Sequence, residues 1–387
     1  MVNFSVVGVD DKSWRTKVAS ISILGNMTFC APKQLSSCLP QIVPKLAGAI
    51  SDANIQVKDS ANYALKEIGS TIKSPEISSI LDILIKALSD PYEQNKNGLE
   101  ALLKLEFTHY IDAPSLSLII PIIDYGLRNR DLAIKKKSSQ LVENISDLVK
   151  DPDDIIPYLD ILLASLQSSL SQISEISSKA YASLARKLGI QKSSKVVLSL
   201  RNILEDKEAT PAERTGAAQA ISEVTYALGY QYFKEVLPNF LLFTRNENSY
   251  IRESYTRIFV YLPNIMENQF QPYIADLLDS IMDSLAEENE NLRHLAFSVV
   301  KNLIQIFGAK DIQTLLEPVE EGLFHENPNK RVSSIYLIDE MLKVLKESVH
   351  IGNMSEEEFN VILKRILCSL HILKSDPFSK ADAAKVS

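Results

Sequence analysis

Five histidines and three cysteines are the residues of this 387-residue chain best suited to metal binding or nucleophilic chemistry. The histidines are His109, His294, His325, His350 and His371, and no two stand four residues apart. One helix face therefore cannot offer zinc a pair of imidazoles. His109, before a turn, and His294, in a helical stretch, read as structural or solvent-facing. Cys30 and Cys38 are eight residues apart and Cys368 is remote. An odd, sparse count suits a reducing compartment better than a disulfide framework. Cys30 ends an apolar stripe and is expected to be a small core residue. No Gly-x-Ser-x-Gly, Walker-type or Gly-x-Gly-x-x-Gly sequence occurs. Carboxylates are plentiful, but they fall in turns and on polar faces. The expectation is a protein that is not an enzyme, with no cofactor, no metal and no small-molecule substrate.

One charged cluster carries more information. Arg128 and Arg130 are followed by Lys135, Lys136 and Lys137, five cations within ten positions, at a turn and the start of a helix. Cations at a helix N-terminus oppose the helix dipole, so local stability does not explain them. They form a candidate phosphate-contacting patch for RNA, with salt-sensitive and sequence-insensitive binding; the plainer reading is a solvated helix start. The acidic runs Glu287-Glu288-Asn289-Glu290 and Glu356-Glu357-Glu358 stand where they suit the dipole. The formal net charge is −8, so the chain as a whole is not a basic nucleic-acid binder.

The elements that position these residues repeat. From Ser13 onward apolar residues recur at helical spacing, and strand-like alternation is not sustained. First helices end on Ile50, Leu88, Leu127, Leu166, Leu204, Phe243, Leu285 and Phe324, at intervals of 38 to 42 residues, each followed by a short polar turn. Basic residues then precede small-residue stripes, as in Lys58-Asp59-Ser60-Ala61, Arg214-Thr215-Gly216-Ala217, Arg252-Glu253-Ser254 and Arg293-His294-Leu295-Ala296, and the base can reach back to the turn. Pro40, Pro44, Pro121, Pro157, Pro238, Pro272 and Pro318 fall just before or inside first helices. A helix–turn–helix period near 39 lies at the edge of the HEAT and armadillo range.

The predicted fold is all-α, a HEAT-repeat α-solenoid of about eight helical hairpins plus a leading half-repeat, whose second helix lies near 14–30. Residues 1–11 are expected to be a flexible leader, 12–374 the array with a terminal helix over Glu356–Lys374, and 375–387 a flexible C-terminal tail. The hairpin at 155–190 is the weakest match, because its turn Ser168-Ser169-Leu170-Ser171-Gln172 has neither Asp nor a base at the usual place. Trp14 is read either as a core plug or as part of a face left by a missing repeat. The first residues do not read as a charged-then-apolar-then-small signal pattern, and no apolar run reaches the ~20 residues of a membrane span. A cytoplasmic location without membrane contact is expected.

Several longer sequence words are not dictated by repeat geometry. They include Trp14-Arg15-Thr16-Lys17, Phe29-Cys30-Ala31-Pro32-Lys33-Gln34-Leu35-Ser36, Leu39-Pro40-Gln41-Ile42-Val43-Pro44, His109-Tyr110-Ile111-Asp112-Ala113-Pro114, Glu213-Arg214-Thr215-Gly216-Ala217-Ala218 and Phe270-Gln271-Pro272-Tyr273. These resemble the central region of the large HEAT-repeat translational activator of the general amino-acid control system. That region is itself similar to the HEAT domain of fungal elongation factor 3.

The resemblance, over roughly residues 14–345, implies a non-enzymatic scaffold on the ribosome. Such proteins help a stress kinase sense uncharged tRNA and phosphorylate initiation factor 2 alpha during amino-acid starvation. The implied partners are the ribosome, an ABC-type ATPase and, indirectly, the kinase, whose contact is assigned to a later part of the family protein. That protein is several times longer, so a fragment, a truncated homologue or a reduced paralogue is expected. The alternatives are a transport or phosphatase HEAT adaptor, and the HEAT portion of an elongation-factor-3-like ATPase. The missing Walker motifs argue against the latter.

Overall fold

The polar turn residues start the second helices. Asn54 Oδ1 accepts from Gln56 N at the start of α4 (Ile55–Ser70), Asp90 from Glu93 N at α7 (Pro91–Leu103), and Asp131 from Ala133 N at α9 (Leu132–Leu148). Thr210 and Glu213 form a reciprocal capping box at α13 (Pro211–Leu228), and Asn289 and Asn327 cap α17 (Glu290–Phe307) and α19 (Pro328–Ile351). Each cap satisfies an N–H that the helix cannot, worth about 1 kcal/mol.

A computed structural model describes residues 2–30 and 32–375, in two compact units, Met1–Ser199 and Leu200–Ser387. Both are stacks of helical hairpins, and among the described residues no strand forms beyond an isolated bridge between Ile111 and Val149. The fold is an all-α HEAT solenoid. No helix among the described residues is long and apolar enough to cross a membrane. The expected tail lies outside the described residues except for Ser375, as does Ala31.

In the first unit the first helices are α1 (Val2–Gly8), α3 (Pro32–Ile50), α6 (Leu81–Ser89), α8 (Ala113–Leu127) and α10 (Leu159–Leu170). Their partners are α2 (Trp14–Cys30), α4, α7, α9 and α11 (Ser174–Lys192). α2 packs on α4, α7 on α9, and α9 on α11. The short α5 (Pro75–Ser79) precedes α6. α8 breaks the regular stacking, being surrounded by α3, α4, α6, α7, α9 and α10. Its run Leu116-Ser117-Leu118-Ile119-Ile120 is accordingly buried on every side, as few surface helices are.

The second unit stacks α13, α15 (Ser249–Met266), α17 and α19 beside α14 (Tyr230–Phe243), α16 (Ile274–Ile281), α18 (Ile312–Leu323) and α20 (Glu356–Ser375). α12 (Ser194–Glu205) carries the boundary between the units. Here the bases after each turn do reach back. Arg252 Nη1 donates to Asn246 O and Glu247 O at 2.8 and 3.0 Å, and Arg293 Nη1 to Glu287 O and Glu288 O at 2.8 and 2.7 Å. Arg214 and Arg331 make the same clamp.

Seven of the eight expected first-helix ends fall within the last five residues of a helix or one residue past it, and Leu285 falls in the 3-10 turn that extends α16. The seven prolines sit inside first helices or in the 3-10 turns that lead into them.

Two expectations are corrected, and one open alternative is decided. Residues 1–11 contain helix α1, whose Ser5 and Val6, with Val9 just beyond, are buried against its neighbours, so the leading half-repeat is a complete hairpin. Too short to show a period, the segment is helical because α2 and α3 supply its core. Cys30 is exposed, since the buried stripe of α2 runs through Ile21, Leu24 and Met27 and leaves its last residue off that face. Trp14 does not plug the core. It is 39% exposed, with the Arg15 guanidinium 5.3 Å from its ring.

Candidate nucleic-acid interface

The five clustered cations do not share a face. Arg128 follows α8, and its Nε donates to Asp124 Oδ1 at 2.9 Å and to Ser165 Oγ of α10 at 3.3 Å. Lys135 is only 6% exposed, and its Nζ donates to Gln172 Oε1 at 2.8 Å and Ser168 O at 3.3 Å. Burial pulls its ammonium below the usual lysine range. Lys137 Nζ lies 2.5 Å from Glu100 Oε1 of α7. Arg130 and Lys136 are exposed and have no ion-pair partner among the described residues.

Lys135 explains why the hairpin at 155–190 looks weak in the sequence. Its turn has no base of its own, and the preceding repeat supplies one: Lys135, on α9, clamps the α10–α11 turn from outside. Helical geometry makes the selection. Lys135 is on the buried stripe of α9 with Ser138, Ser139 and Val142, and Lys136 is a hundred degrees away from it.

The structure adds cations that linear clustering missed. The Glu100 carboxyl is held below its usual range by its hydrogen bond with Lys137, then by that residue's charge, with smaller contributions from Lys96 and Lys104. Both lysines are exposed. On α7, one turn before Lys96, Tyr92 is 85% exposed. α7 and α9 pack side by side, so the exposed Lys96 and Tyr92 of α7, Lys104 at its end, Lys136 of α9 and Arg130 just before it lie on the surfaces of two adjacent helices. Such a surface can bind phosphates through exposed cations and stack a base. The signal was the repeat itself: Lys96 and Lys136 are one period, 40 residues, apart.

The remaining candidate chemistry is structural. Glu76 of α5 accepts from Thr108 N at 2.9 Å and Oγ1 at 2.8 Å, and lies 2.9 Å from His109 Nδ1. Those bonds, His109 foremost, hold its carboxyl far below the ordinary range and tie the loop after α7 to α5. His294 is exposed beside Glu290 at 3.3 Å. Among the described residues no group of three or more His, Cys, Asp or Glu could hold a metal ion.

The family described as the elongation factor 3/GNC1 HEAT repeat matches residues 93–196, and the EF3 N-terminal HEAT repeat matches 4–65. The chain is 39% identical over 308 residues to Protein ILITYHIA of Arabidopsis thaliana, covering 77% of this chain and 11% of that protein. It is 34% identical over 362 residues to the eIF-2-alpha kinase activator GCN1 of Saccharomyces cerevisiae, covering 92% and 14%. With the stalled ribosome sensor GCN1 of Homo sapiens it shares 34% over 343 residues, covering 87% and 13%. It thus spans 11 to 14% of the length of these relatives.

Proposed function

Because this chain belongs to the HEAT-repeat family shared by elongation factor 3 and the GCN1 translational activators, we propose that it is a non-enzymatic, cytoplasmic scaffold. It lies on the ribosome and supports activation of the initiation factor 2 alpha kinase in amino-acid starvation. The likeness to a protein named for activating that kinase, sustained over 92% of the chain, carries this reading. The ribosomal part is supported by the name of the human relative. The elongation factor 3 likeness supports an ABC-type ATPase as a further partner, and the kinase is an indirect one on this reading.

On this reading the α7–α9 surface contacts ribosomal RNA. Arg130, Lys136, Lys96 and Lys104 meet phosphates, Tyr92 offers a stacking face, and Arg128 and Lys137 lie at the margin in ion pairs. Lys135 belongs to the fold. The test is co-sedimentation with ribosomes over a salt series, comparing wild type with Lys96→Glu/Lys104→Glu/Arg130→Glu/Lys136→Glu. Removing one phosphate-binding cation should flatten the dependence of log K on log salt by about 0.7–0.9. Equal sedimentation at every salt concentration would remove this face from the interface. Failure of the wild type to sediment would remove the ribosome.

A further inference from the structure

The negative charge of the chain is concentrated in one segment. Residues 267–326 hold twelve Asp and Glu against three Lys and Arg, a balance of −9 where the whole chain is −8. Part of that charge borders a cleft of about 490 Å³ between α16, with the 3-10 turn Met282–Ala286 that extends it, and α18. Leu278, Met282 and Pro318 line it with apolar surface, Lys330 and His325 also border it, and Asp279, Asp283, Glu317 and Glu321 stand along it.

The carboxylates come in two pairs, each four residues apart on its own helix. That spacing is about 6 Å along the axis. In an extended chain, side chains two residues apart lie about 6.6 Å apart on the same side. The two repeats match closely enough for cations at alternate positions of a strand to meet successive carboxylates. The stems of lysine or arginine are apolar while their heads seek charge, so Leu278, Met282 and Pro318 suit the stems and the carboxylates suit the heads. Asp279 and Asp283 already pair with Arg245 at 2.7 Å and Lys330 at 3.1 Å, yet their side chains remain 80% and 84% exposed. Glu317 and Glu321 are exposed, with no ion pair among the described residues. RNA is repelled by such a surface, and a basic protein segment is attracted to it.

We propose that the cleft between α16 and α18 docks an extended segment of a partner protein that carries lysine or arginine at alternate positions. The site is separate from the α7–α9 surface and does not depend on ribosome binding.

The probe is a fluorescein-labelled nine-residue peptide with lysine at every second position and alanine between, titrated with the full 387-residue chain and read by fluorescence anisotropy. Binding is expected for this peptide and not for its counterpart with glutamate in place of lysine. Glu317→Lys/Glu321→Lys is expected to weaken it at least about tenfold, since exposed ion pairs each change affinity about two- to fivefold and reversal adds repulsion. Glu288→Lys/Glu290→Lys makes the same charge change outside the cleft and is expected to cost less than about threefold. The neutral Glu317→Gln/Glu321→Gln, which puts no new charge on α18, is expected to lose about four- to twenty-fivefold, less than the reversal. Equal losses from the two reversals would mean diffuse attraction and overturn the proposal. So would unchanged binding in the glutamine pair, or no preference of wild type for the lysine peptide.

Discussion

Lys135→Ala is expected to destabilise the first unit by about 2–3 kcal/mol, although Lys135 looks from the sequence like one of three interchangeable surface lysines. The native side chain donates two charge-assisted hydrogen bonds, to Gln172 and to the Ser168 carbonyl. Such bonds contribute about 1.5–3 kcal/mol each. Truncation also strips the buried stem, at about 0.8 kcal/mol per methylene. Against this stands the relief of holding an ammonium at 6% exposure, the same burial that lowers its pKa. Lys135→Met keeps the stem and removes the charge, so its loss is expected to be about half as large. Lys136→Ala, on the exposed side of the same turn, is expected to fall within about 0.5 kcal/mol of wild type. Urea unfolding followed by Trp14 fluorescence reports on the first unit, because Trp14 is the only tryptophan. Amide exchange over 168–173 reports on the clamped turn itself. If Lys135→Ala left both measurements unchanged, or if Lys136→Ala matched it, the trans-repeat clamp would be refuted.

Three other perturbations separate packing from propensity and charge. Gly126→Ala places a Cβ 2.1 Å from Ser138 Oγ and 3.0 Å from Leu99 Cδ1 and should cost about 1–3 kcal/mol, whereas Gly48→Ala meets nothing within 4 Å and should gain about 0.5–1 kcal/mol in the melt. Arg293→Ala frees the Glu287 and Glu288 carbonyls and should cost about 1–3 kcal/mol, with Arg293→Lys recovering only part because an ammonium lacks the guanidinium fork; exchange across 286–291 checks it. Glu76, whose pKa is depressed from 4.5 in the folded state, binds fewer protons there than when unfolded, so its stabilisation is present above pH 4.5 and is lost as pH falls below it. The stability gap between wild type and Glu76→Gln should therefore be full at neutral pH and close on acidification, and a gap that persisted in strong acid would contradict the assignment.

Local features made the repeats legible. The apolar stripe of each helix, the Asp, Asn and Thr caps and the prolines of the first helices act within a few residues of one another, so their order shows in the chain. Three of the four arginine clamps were visible, Arg214, Arg252 and Arg293 each standing after the turn it closes, while Arg331 was not singled out. Helix α1 was not visible, because seven residues carry too little period to outweigh their composition. Nor was the enclosure of α8, whose apolar run shows that it is buried but not by what.

The candidate site shows the division most clearly. The sequence alone determined that cations gather at 128–137, that a hairpin near 168 lacks its own base, and which family the chain resembles. Only the tertiary structure decided that Lys135 supplies the missing base and that Lys137 turns to Glu100. The reason is the repeat architecture. Each of these contacts joins side chains about one period apart, 33 to 37 residues along the chain. A neighbour at that separation is set by how hairpins stack, and a local pattern carries no record of it.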